Sequence, residues 1–274
     1  MPREPSGHGS AQVRWARLAL ARQGRADAEP GRLELARAEP GRLELARAEP
    51  GRLEPARAEP GRLELARAEP GRLRLAGAGL ARLDLAEAEF AVIDLETTGW
   101  SPEAAAIMEI AAVRVRGGRR LGEFSSLINP GVPVPPGIED LTGISDWMLA
   151  AAPKLAAVLP GLLAFASGCV LVAHNAPFDV GFLSAACAEC GLTWPGFTVL
   201  DTVMLARRVM DPDEVPDCKL GTLAGFFRAR TAPSHRALAD ARATADVLGW
   251  LIRRLAHRGV RTVSQLSAWP DVVA

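Results

Sequence analysis

A Pro-Gly pair recurs every ten residues near the start of this 274-residue chain, at 30–31, 40–41, 50–51, 60–61 and 70–71. The unit AEPGRLELAR decays through GRLRLAGAGL (71–80) into ARLDLAEAEF (81–90). Proline blocks a continuous helix at each break. The residues between breaks are good helix formers, but the segments are too short to be stable alone. A stacked β-helix would need an unbroken buried column, which proline also interrupts. The period therefore predicts a low-complexity, disordered tail over residues 1–88, without chemistry of its own. Any folded domain must come from the remainder.

That remainder reads as alternating strands and helices. FAVIDLE (90–96) is a short apolar strand, and IMEIAAVRVRGG (107–118) and RRLGEFSSLINP (119–130) form two more, turning at Gly117-Gly118. A loop with a short helix follows at 135–145, then a helix at 152–168 that Pro160 is expected to break. CVLVAHN (169–175) is a buried-type strand, 176–192 an amphipathic helix, and 197–209 a strand running into a helix. The last long helix spans about 237–258. The order β-β-β-α-β-α-β-α predicts one α/β domain over 89–258, a mixed sheet with helices on its faces, and a C-terminal extension over 259–274.

Composition narrows the function classes. Hydrophobic residues make up 49%, enough for a sizeable core, and no apolar run reaches the ~20 residues of a membrane helix. The N-terminus shows no secretory pattern, so the expected location is cytoplasmic, with no membrane association. The 32 basic and 32 acidic side chains balance, unlike a protein that coats nucleic acid. Four cysteines are too few and too scattered for a disulfide framework, and Cys187 and Cys190 read as small core residues.

The chemical anomaly is acid in apolar strands. Asp94 and Glu96 lie two apart in VIDLETTG, so in a strand they share a face about 6–7 Å apart. Two adjacent carboxylates repel, and each raises the other's pKa unless a cation sits between them. A divalent ion is the natural remedy; two exposed acids at a strand end are the plain alternative. In HNAPFDVGF (174–182), Asn175 and Asp179 stand where a strand gives way to a helix, and both could simply cap it. In SHRALADARATADVL (234–248), His235 and Asp240 are five apart, about 500° of ideal helix and hence not on one face. A helix beginning between them would leave His235 on a loop beside the first turn carrying Asp240. Asp246 is expected to face solvent.

Together, Asp94 and Glu96 in DLETTG, Asn175-Ala-Pro-Phe178-Asp179, and His235-x4-Asp240 resemble the DEDDh 3′–5′ exonucleases of the proofreading epsilon-subunit type, on a ribonuclease H-like fold. The resemblance covers residues 89–258, with further matches at 107–115, 128–144 and 201–209. It implies two divalent cations, Mg²⁺ or Mn²⁺, which suit all-oxygen ligands. Asp94, Glu96 and Asp240 would hold the tighter ion, Asp94 would be shared with a second, and Asp179 would complete the set. Two ions about 3.5–4 Å apart stabilise the attacking and leaving oxygens of an in-line displacement. His235 would be the general base. Leu95, Thr97 and Thr98 would touch the terminal nucleotide, and Asn175, Phe178 and Thr142 would line its pocket. Position 142 often carries His in epsilon subunits.

The implied activity is release of nucleoside 5′-monophosphates from the 3′ end of single-stranded DNA, in proofreading or repair and with a DNA polymerase as a possible partner. The alternatives are an exoribonuclease, which would share the carboxylates, and a non-catalytic nucleic-acid or polymerase-binding module. The ETTG after Asp94 resembles the DNA-acting branch. Gln265-Leu266-Ser267-Ala268-Trp269 resembles a sliding-clamp ligand at three of five positions. Trp147, Trp194, Trp250 and Trp269 read as packing residues. Arg207, Arg208, Arg228, Arg230 and Arg242 read as solvated helix faces.

Overall fold

The computed structural model describes residues 82–211 and 213–267. Residues 1–81 of the disordered tail predicted over 1–88, and the last part of the clamp-like segment, including Trp269, lie outside the described residues.

Among the described residues, five strands form one mixed sheet in the order β3-β2-β1-β4-β5. They are β1 (Phe90–Thr97), β2 (Ile107–Arg116), β3 (Arg119–Leu127), β4 (Val170–Ala173) and β5 (Val199–Asp201). The first three are antiparallel, and β4 and β5 add in parallel beside β1. The helices are α1 (Pro136–Thr142), α2 (Asp146–Ala150), α3 (Leu155–Ala166), α4 (Ala176–Glu189), α5 (Thr202–Val209), α6 (Leu220–Phe227), α7 (Ala237–His257) and α8 (Val263–Ser267). The predicted hairpin turn at Gly117-Gly118 is present, with both residues at positive φ.

Strand alternation sorts β1 between two cores. Ala91, Ile93 and Leu95 pack with α3 and α4, whereas Phe90 and Val92 pack with α7. Asp94 and Glu96 therefore continue the α7-facing row. The parallel pairing of β1 with β4 spans only Phe90–Val92, while its pairing with β2 continues to Thr97. The acidic end of β1 thus projects beyond β4. Ligands of open α/β sheets favour this kind of place, at the carboxyl ends of strands where connections diverge. A register shift between Glu96 and Thr97 re-aims the strand there.

Several expectations need correction. Pro160 does not break its helix, which runs unbroken through Leu155–Ala166. The lost N–H would have bonded the carbonyl of Ala156, and both residues are on the exposed face. Burial of Val158, Leu159 and Leu162 on the opposite face outweighs that loss. Asp246 does not face solvent: its side chain is 6% exposed, paired with Arg230 at 2.5 Å and Arg120 at 3.4 Å. Arg242 likewise pairs with Glu123. Trp147 is not a packing residue, being 74% exposed, whereas Trp194 packs against Phe197. The helices α2 and α6 are additions to the predicted order.

The packed body also reaches beyond 89–258 at both ends. Leu85 and Ala88, expected in the tail, are buried in the α7-side core with Val260, Val263 and Leu266. The Leu85 N–H donates to the Arg261 carbonyl, and Asp84 bridges Thr262. Leu85→Ala is therefore expected to lower stability by about 2–5 kcal/mol, the usual range for a buried leucine. Urea unfolding measures this, and a midpoint equal to that of the wild type would contradict the packing of this segment.

Candidate active site

The three acidic segments converge. Asp94 and Glu96 come from the end of β1, Asp179 from the first turn of α4, and Asp240 from the first turn of α7. Carboxylate oxygens of Asp94, Glu96 and Asp240 all lie within 4.8 Å of one another. All four acids line one cleft of about 270 Å³, with His235 among the lining residues. As predicted, α7 begins between His235 and Asp240, leaving the histidine on the preceding loop.

Local sequence explains each placement. Asn175 adopts the left-handed conformation at φ 73°, which Asn tolerates better than most residues. Its N–H donates to the Asp201 carboxylate at 3.2 Å, which also caps α5 through the Val203 N–H. This sharp turn, followed by Pro177 in the first turn of α4, delivers Asp179 to the cleft. On the other side, the Asp240 carboxylate accepts from the Ser234 N–H at 2.8 Å and so draws the His235 loop over the start of α7.

Burial and mutual repulsion dominate the electrostatics of the cluster. Burial, then the charges of Asp179, Asp240, Glu96 and Glu109, push the Asp94 carboxyl well above the ordinary range. Asp179 is pushed up mainly by burial, against the opposing hydrogen bonds of its own and the Leu95 N–H. Burial also raises Asp240, and burial with the charges of Asp240 and Glu109 raises Glu96 to about 7. A divalent cation among these oxygens removes the repulsion, and an oxygen-only donor set suits Mg²⁺ or Mn²⁺. The residues present fit such an ion.

A stability signature follows. Unfolded, Glu96 titrates near 4.5; folded, near 7. Between those values the folded chain holds the extra proton, so stability falls as pH rises through the window. Without metal, the gain in melting temperature from Glu96→Gln is expected to be larger at about pH 8 than at about pH 5. Added Mg²⁺ at the higher pH should reverse the order by stabilising the wild type. A pH-independent difference between the two proteins would contradict the raised carboxyl.

The substrate-facing expectations fare unevenly. Leu95, Thr97, Phe178 and Thr142 line the cleft. Thr97 Oγ1 donates to the Gly99 carbonyl at 2.5 Å. The Thr142 hydroxyl is engaged inside its own turn, donating to Ile138 and accepting from the Ile144 N–H. Thr98 Oγ1 accepts from the Ala106 N–H and does not line the cleft. Neither does Asn175, which is exposed and makes no side-chain cap. Several lining residues had no role in the sequence reading, and two of them stand out. Trp100 is 80% exposed and edge-on to Phe178, with ring centroids 6.5 Å apart. His174 is kept neutral by burial, its pKa pushed down to about 4. Both adjoin motifs already singled out, so position alone could have flagged them.

Comparison with known proteins agrees with this geometry. A family model described as Exonuclease (RNase_T) matches residues 91–248. A Mycobacterium tuberculosis protein named as a bifunctional exonuclease/endonuclease is 50% identical over 185 residues, covering 65% of this chain and 29% of its own length. A PolC-type DNA polymerase III of Caldanaerobacter subterraneus is 41% identical over 174 residues, covering 64% of this chain and 12% of its own. A DNA polymerase III epsilon-like protein of Rhodobacter capsulatus is 40% identical, covering 61% and 24%. The chain thus spans less than a third of the length of these curated relatives. E. coli exonuclease I, solved in complex with single-stranded DNA, shares the fold with a TM-score of 0.55 at 20% identity, covering 64% of this chain and 42% of its own. With more than half of its length matched and a ribonuclease H-like sheet carrying the converging carboxylates, the chain belongs to the RNase_T exonuclease family.

Proposed function

We infer that this chain is a metal-dependent 3′–5′ exonuclease that removes nucleoside 5′-monophosphates from single-stranded DNA ends. The observation that carries the reading is the meeting of Asp94, Glu96, Asp179 and Asp240 in one cleft, with His235 beside them. Asp94, Glu96 and Asp240 would hold one divalent cation, and Asp94 and Asp179 a second. When bound, these ions supply Lewis-acid stabilisation of charge on the phosphate oxygens. His235 takes the proton from the attacking water, a role that its place beside the Asp240 turn supports. Leu95, Thr97 and Phe178 offer a wall for the terminal nucleoside, and the exposed Trp100 a face for a splayed base. The partly apolar wall, with the exposed Trp100 beside it, favours an unpaired end whose bases are free to stack.

The DNA preference rests on the polymerase III relatives, and the same relatives support a role beside a DNA polymerase in the cytoplasm. Among the described residues, no helix is long and apolar enough to cross a membrane. The clamp-like segment gains little support. Leu266 is buried, and Gln265 accepts from the N–H groups of Arg261 and Thr262.

End-labelled strands test the reading. Matched DNA and RNA oligonucleotides labelled at the 5′ end should both report polarity, and DNA should shorten progressively from its 3′ end at the greater rate. Shortening from the 5′ end would overturn the polarity. Faster digestion of RNA would favour the exoribonuclease alternative, and binding without any cleavage the non-catalytic one.

A further inference from the structure

Glu109 is a fifth acid beside the cluster, and it differs from the other four in being already satisfied. It lies on β2 directly opposite Glu96, on the α7-facing side, and is 4% exposed. Arg236 donates to its carboxylate through Nε at 3.1 Å and Nη2 at 2.8 Å, and the Ala237 N–H donates at 2.9 Å. A two-pronged guanidinium contact fixes orientation as well as distance. Both partners immediately follow His235 in the chain, so the carboxylate grips the loop just after the histidine. The Asp240 carboxylate grips it just before, through the Ser234 N–H at 2.8 Å. Between these anchors His235 sits at φ 53°, a left-handed conformation that a residue with a side chain holds only when its surroundings enforce it.

We propose that the Glu109–Arg236 ion pair is a positioning device that locks the His235 loop in the conformation presenting its imidazole to the cleft. The proposal rests on the exonuclease reading above and assigns no metal or substrate contact to either residue. Glu109 has its carboxylate oxygens committed to Arg236 and Ala237, so it serves the sheet-to-loop joint. Arg236 transmits that anchorage one residue along the chain, and the lost motion of His235 is what sustains its rate.

The test uses the full chain under single-turnover conditions at saturating Mg²⁺, with a 5′-labelled DNA oligonucleotide. Arg236→Ala is the principal variant, because that side chain is 39% exposed and its removal spares the core. Its maximal rate should fall roughly 10–100-fold, the usual cost of losing a residue that orients a reacting group. Half-saturating DNA and Mn²⁺ affinity should change by less than about 3-fold. Arg236→Lys should recover part of the rate, because charge remains while the fork is lost. In a His235→Ala background, adding Arg236→Ala should change the rate by less than about 2-fold, since both act through one group. An equal loss in both backgrounds would overturn the proposal, as would a full rate in Arg236→Ala or a loss confined to DNA affinity. Amide hydrogen exchange separates this from failure of the exonuclease reading. Even in a wild type that cleaves nothing, Arg236→Ala should speed exchange at Ser234 and Ala237 by roughly 10-fold or more. Unchanged exchange there would overturn the positioning role independently of activity.

Discussion

Asp94→Ala, or Asp240→Ala, should leave a folded protein with at least roughly a 10³-fold lower rate of mononucleotide release, since several kcal/mol of charge stabilisation depend on the ions these carboxylates hold. Asp94 matters most because every other acid of the set acts on it: Asp179, Asp240, Glu96 and Glu109 all raise its carboxyl. Removing it deletes the shared ligand and the centre of the repulsion together. The metal-free variant should consequently melt no lower than the metal-free wild type, and the stabilisation by Mg²⁺ should largely vanish. Loss of activity with a much lower melting temperature would instead mean that Asp94 is structural. The two readouts, rate and metal-dependent melting, must move in the stated directions together.

The second large effect belongs to His235. It accepts a proton only when its imidazole is neutral, so the rising limb of the pH–rate profile should depend on this side chain. His235→Ala should lose about 10²–10⁴ in rate, the usual worth of a general base, while Mn²⁺ and DNA binding change little. His235→Gln keeps part of the hydrogen bonding and should be nearly as slow. Single-turnover profiles of the three proteins check this, because product release is then silent. A variant that keeps both the rate and the same rising limb would place the base elsewhere.

How much of this was visible in the sequence depends on the range of the interaction. Asp94 and Glu96 were legible because strand alternation is local: two residues apart means one face, and acids on an otherwise apolar strand demand a partner. His235 and Asp240 were legible for the complementary reason, since five residues do not fit one helical face and forced a helix start between them. Pro160 was misjudged because the proline rule is also local, whereas the burial that overrides it comes from α3 packing on the sheet. Leu85 was hidden because LDLAEAEF looks like one more decayed repeat, and its packing depends on the Asp84–Thr262 bridge and the Leu85–Arg261 hydrogen bond, both between residues far apart in the chain. Glu109 carried the same signal as Asp94, an acid in the apolar run IMEI. Its meaning depended on Arg236, 127 residues away, and on a register that no sequence pattern specifies.

The central claim is that these carboxylates form a working metal site for phosphodiester hydrolysis. Its most direct test follows release of nucleoside 5′-monophosphate from single-stranded DNA in one reaction, first with Mg²⁺, then with excess chelator, then with Mg²⁺ restored. The account predicts release that stops on chelation and resumes on restoration in the wild type, with none at any stage in Asp94→Ala. Undiminished release in the presence of chelator, or from Asp94→Ala, would contradict it.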